Sequence, residues 1–156
     1  MKNLFKAVPK KVLAAVATVA LVAGLTSSAF AAFGPDRPTR QWTPAENGFD
    51  HVTFNSFTGV PNGIGDERDF LRGVQVGRDS VWSDPVNGVD DGAEVEMKIY
   101  IHNNADRLLN DQPGNPGVAK NVSVRVALPT GSADSHQATS FISADNAVPQ
   151  QIFDTI

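Results

Sequence analysis

Residues 94–129 read EVEMKIYIHNNADRLLNDQPGNPGVAKNVSVRVALP, two alternating segments joined by a polar loop rich in Asn, Asp, Gly and Pro. In the first segment Val95, Met97, Ile99 and Ile101 share one side, while Glu94, Glu96, Lys98, Tyr100 and His102 take the other. A period of two marks a strand with one buried face, because successive side chains point to opposite sides of a sheet. In the second, Val122, Val124, Val126 and Leu128 alternate with Asn121, Ser123, Arg125 and Ala127. Both segments are expected as strands of a β-sandwich. As the longest unbroken alternation in the chain, they are also expected to carry its core.

Shorter β candidates flank this stretch: 49–58 (FDHVTFNSFT), 70–76 (FLRGVQV), 80–86 (SVWSDPV), 138–143 (ATSFIS) and 150–156 (QQIFDTI). Turn sequences such as 59–65 (GVPNGIG), Asn87-Gly88 and 90–92 (DDG) separate them, supplying residues that tolerate positive φ. No long amphipathic helix follows residue 31, and only 66–72 and 105–110 could each form a helical turn, which makes mixed α/β the runner-up. Several short strands at about ten-residue spacing favour an all-β antiparallel sandwich over 49–156. Its last segment runs to Ile156 without a polar tail, so the sandwich is expected to be incomplete there and to continue in a longer protein. Residues 32–48 hold Pro35, Pro38 and Pro44 around Trp42 and read as an extended leader. Trp42 either packs onto the first strand or stays in a disordered linker.

The beginning of the chain has a different character. Lys2, Lys6, Lys10 and Lys11 precede the apolar run 12–25 (VLAAVATVALVAGL), and small residues follow, with Ala29 and Ala31 at the positions a signal peptidase reads. This is the three-part pattern of a secretory signal peptide over 1–31, and the run is short of the roughly 20 residues that span a bilayer. The chain has no Cys, which rules out a lipid-modified cysteine and any disulfide, so the core must hold unstapled. Of its 13 basic residues four lie before Ala32 and no acid does, leaving nine basic against 17 acidic residues in the exported part. That balance argues against nucleic acid and against anionic lipid, both of which need a concentrated basic surface.

The sequence YIHNNA at 100–105, a Gly-containing loop, and VAKNVSVRVALPTG at 118–131 resemble the immunoglobulin-like repeat of bacterial surface proteins known as domain of unknown function 11. Asn103-Asn104, Gly117, Asn121-Val122 and Leu128-Pro129-Thr130-Gly131 carry the match; the loop 105–116 is longer than in that repeat, and Val126 stands where it has an acid. The resemblance covers about residues 94–131. It implies an exported immunoglobulin-like sandwich displayed at the cell envelope, in a family without an established catalytic site. The expected role is structural or adhesive, without catalysis and with cell-envelope or extracellular protein or glycan partners; the alternative is a carbohydrate- or calcium-binding domain that uses the polar loops at one end of the sandwich.

Candidate chemistry is sparse. His51, His102 and His136 lack a second His or Cys at ligand spacing, so zinc is not indicated. GSADSH at 131–136 holds Ser132, Asp134, Ser135 and His136, but sequence neighbours do not build a nucleophile elbow with a histidine arriving from another loop. Oxygen-bearing side chains gather in three loops: Asp66, Glu67 and Asp69; Asp84, Asn87, Asp90 and Asp91; and Asn103, Asn104, Asp106, Asn110, Asp111 and Asn115. Such loops suit calcium, a hard cation that takes six to eight oxygens, with Asp84, Asp90 and Asp91 as the expected ligands. Asp and Asn also favour turns on their own account, and none of these loops follows the twelve-residue calcium pattern. For a carbohydrate ligand the expected residues are Tyr100, on the polar side of its strand, with Asn103, Asn104, Asp106, Asn110 and Asp111 in the following loop.

Overall fold

The computed structural model describes residues 32–45 and 48–156; the expected signal peptide, with Ala29 and Ala31, lies outside the described residues. The chain is all-β, with one helical element among the described residues, the five-residue 3-10 turn Arg107–Asp111. The strands are β1 (Ala32–Gly34), β2 (Arg40–Gln41), β3 (Phe57–Thr58), β4 (Leu71–Gln75), β5 (Val95–Ile99), β6 (Ser123–Ala127), β7 (Thr139–Ser143) and β8 (Gln151–Thr155). Four form an antiparallel sheet in the order β1-β8-β7-β6. β4 and β5 pair antiparallel, with Leu71 opposite Ile99, and β2 pairs parallel with β3.

The core lies away from the long alternating stretch. Val52, Phe54, Phe70, Ile142, Ala144, Ala147 and Ile152 form the buried cluster, with Ile99, Tyr100, Ala105 and Ala119 packed against it. β7 and β8 supply its centre because both are interior strands, and register sets Ile142 opposite Ile152 on the inner face. β6 is the sheet edge. Val124 stands opposite Ile142, yet it is 42% exposed and Val126 44%. In β5 likewise Met97 is exposed and Val95 and Ile99 are only partly buried. The expectation that these two strands carry the core is therefore corrected. Alternation shows that a strand has two unlike faces; coverage is decided by where the strand sits in its sheet.

Two further segments complete the fold. In the extended leader β1 pairs with β8, and the backbone N–H of Trp42 donates to Thr58 O at 2.8 Å. Residues 52–57 are buried throughout, polar ones included, but only Phe57–Thr58 is a strand. Asn55 interrupts it at φ 49, and its side chain takes over part of the backbone pairing, donating to Tyr100 O and accepting from the His102 N–H, each at 2.8 Å. A buried chain can leave the sheet ladder when side chains satisfy its amides in this way.

Candidate functional site

Two carboxylate sites involve the residues leading into β4, one around the buried Glu67 and one in which the buried Asp154 meets the half-buried Asp69 and Asp84. The turn at 59–65 closes with reciprocal bonds between Val60 and Gly65, each 2.8 Å, and delivers Glu67 into the interior. Glu67 is 0% exposed and both its oxygens are occupied. Oε2 accepts from the Phe57 N–H at 3.0 Å and from Asn104 Nδ2 at 2.8 Å. Oε1 accepts from His102 Nδ1 at 2.7 Å and from the Tyr100 hydroxyl at 3.3 Å. Burial alone would raise this carboxyl, but the hydrogen bonds from His102, Phe57 and Asn104 outweigh it, so Glu67 sits below its ordinary range. Tyr100 is pushed up to about 12, by burial and then by the charge and hydrogen bond of Glu67.

The second group is Asp69, Asp84 and Asp154, from the residues before β4, the loop after it, and β8. One oxygen of each lies within 4.8 Å of those of the other two. Asp154 is 0% exposed; its Oδ2 accepts the N–H groups of Phe70 at 2.5 Å and Leu71 at 2.7 Å. Its other oxygen, Oδ1, accepts nothing from the described residues, and the same is true of both Asp84 oxygens and of Asp69 Oδ1. Burial, then the charges of Asp69 and Asp154, push Asp84 up to about 7. Burial also lifts Asp154 to about 6 against the pull of the Leu71 and Phe70 amides, with Asp69 adding to the rise. Close carboxylates away from water resist ionising together.

The residues expected for calcium and for sugar are distributed differently. Asp84 belongs to the second group. Asp90 is held instead by Gln75, accepting from Nε2 at 2.6 Å and donating its N–H to Oε1 at 2.9 Å, while Asp91 is exposed. Asn104 is buried between Glu67 and the Ser56 N–H, the latter donating to its Oδ1 at 2.8 Å. Asn103 ties the loop by accepting from the Ala105 N–H at 3.1 Å and donating to Gly117 O at 2.8 Å. Asp106 caps the 3-10 turn by accepting from the Leu108 N–H at 2.8 Å, and Asn110 and Asp111 are exposed within it. Tyr100, half-buried and bound to Glu67, is a brace for that carboxylate. The histidines are apart in role: His102 serves Glu67, His51 pairs with Asp50 at 2.6 Å, and His136 lies in the exposed 131–137 loop.

Sequence reasoning overlooked Asp154. The signal was present in QQIFDTI, where period two puts Asp154 on the side of Ile152, an acid at an inward position of a strand. No family model, curated protein or solved structure matches this chain. No helix of the described residues is long and apolar enough to cross a membrane.

Proposed function

We infer that the chain is an exported module of the cell envelope, an immunoglobulin-like β-sandwich with a structural or adhesive role rather than a catalytic one. The observation that carries this reading is the segment 122–128 around the edge strand β6: it alternates, is exposed on both faces, and leaves Val122, Val124, Val126 and Leu128 uncovered. Such a contiguous apolar row marks a module built to meet further protein. Two features support the sandwich assignment, namely a core drawn from the four-stranded sheet on one side and from Phe70 with the 52–54 segment on the other, and the sequence likeness over 94–131. The lysine-led apolar start and the absence of Cys support export.

The test is cell fractionation with protease shaving of intact cells, using an antibody to the chain and mass spectrometry of its N-terminus. Export predicts a new N-terminus after Ala31 or Ala32 and loss of the antigen on shaving. A cytosolic chain that keeps Met1–Ala31 refutes the reading.

A further inference from the structure

We propose that Asp69, Asp84 and Asp154 bind a calcium ion, with the hydroxyl of Ser140, opposite Asp154 in the sheet, as a further oxygen ligand. The claim goes beyond the envelope role and does not depend on it. Acidic clusters are common where water solvates them, and this one differs because its free oxygens are buried. Four carboxylate oxygens, Asp69 Oδ1, Asp84 Oδ1, Asp84 Oδ2 and Asp154 Oδ1, are shielded from solvent and accept no hydrogen bond from the described residues. Glu67, only two residues from Asp69, shows how the same fold treats a buried carboxylate that has no ion to meet: both its oxygens receive two donors each. A lone buried carboxylate oxygen is costly, so several in one place call for a positive partner.

Ser140 points to the same place independently. It is 0% exposed, its Oγ has no hydrogen-bond partner among the described residues, and register sets it directly opposite Asp154 on the inner face of the sheet. Charge agrees. Arg72 Nη2 approaches Asp69 Oδ2 at 3.3 Å, and the buried Arg37, which feels the charge of Asp154, gives its hydrogen bonds to Asn55 O at 2.9 Å and Pro35 O at 3.3 Å. Neither arginine donates to Asp84 or to Asp154, so a divalent ion would meet the free oxygens of both directly.

The donors are all oxygen, which selects a hard cation. Two oxygens on opposite sides of a calcium ion stand about 4.6 to 5.2 Å apart, so three within 4.8 Å fit one shell. Magnesium demands near-ideal octahedral geometry, whereas calcium tolerates ligands arriving, as here, from three separate segments. Bound there, the ion joins β8 of the larger sheet to the entry of β4 and to the loop bridged to Gly73 through Ser83. The competing occupant is a proton shared among the carboxyls, which the raised positions of Asp84 and Asp154 favour when no metal is present.

The experiment is thermal unfolding of the purified full-length protein at pH 7.5 in chelator, in calcium chloride and in magnesium chloride, with Asp84→Asn, Asp69→Asn and Asp91→Asn compared. At a hundredfold excess over Kd, calcium raises the wild-type Tm by roughly 5 to 15 °C. Magnesium raises it less, Asp91→Asn keeps the shift, and Asp84→Asn and Asp69→Asn lose it. In chelator Asp84→Asn melts no lower than wild type, since it removes a repelled charge. No calcium shift in wild type leaves the shared proton as sole occupant and overturns the proposal. So does a shift that survives both cluster variants, or one lost in Asp91→Asn. Should Asp84→Asn fail to fold, Asp69→Asn and a direct calorimetric titration of wild type with calcium decide the matter alone.

Discussion

Tyr100 is the only tyrosine in the chain, so its ionisation can be read without interference by absorbance at 295 nm. Its midpoint is expected near pH 12, because burial and the neighbouring Glu67 carboxylate both oppose a phenolate. Glu67→Gln should lower that midpoint without restoring the ordinary value, as burial, the larger cause, persists; a wild-type midpoint at the ordinary value of about 10 would contradict the geometry. The sign for stability follows from the direction. A folded-state pKa above the unfolded one means that Tyr100 contributes stability in full below the unfolded value and loses it as pH rises through about 12. Asn104 is the other residue on which the Glu67 group turns, as it receives the Ser56 N–H and supplies one of the carboxylate's donors. Asn104→Ala strands both partners in the interior and is expected to cost about 1–3 kcal/mol or more in urea unfolding, whereas Asn110→Ala, exposed on the 3-10 turn, should lie within about 0.5 kcal/mol of wild type.

Among the elements, β6 and β7 show how far pattern reading reaches. Both alternate and they pair in register, so sequence identifies two strands and their turns correctly. Pattern carries no information about which strand is interior, and the valine-rich β6 lost its cover by falling at the edge while the modest TSFIS of β7 became the centre. The contrast can be measured. Ile142→Ala, fully buried, should cost about 2–5 kcal/mol, while Val124→Thr, directly opposite on the same face, should change stability by less than about 1 kcal/mol. Equal costs would mean that β6 is covered. Buried polar groups were legible only in part. Asn103 and Asp106 stand in the loop where composition placed turn chemistry, and there they act on local amides. Glu67 and Asp154 hold partners more than 30 residues away in sequence, and spacing within a loop cannot reveal such pairings.

At the scale of the molecule, the question is what holds the two-stranded sheet of β4 and β5 to the four-stranded one. An isolated two-stranded ribbon is marginal in water, and β5 buries little of its own surface. The attachment lies at one end of the ribbon: Phe70 enters the common core, Ile99 of β5 and the following Tyr100 pack against it, and the backbone N–H groups of Phe70 and Leu71 donate to Asp154 of β8. If that junction locks the sheets into a single cooperative unit, the amides of Phe70 and Leu71 open only when the whole domain unfolds. Their hydrogen exchange should then match that of the slowest amides in β7, although they lie at the start of a two-stranded ribbon where fraying is normal. Amides near the other end of the ribbon, at Val76 for example, carry no such tie and should exchange by local opening, several orders of magnitude faster. Exchange at Phe70 and Leu71 as fast as at Val76 would show that β4 and β5 detach as a unit while the larger sheet stays folded.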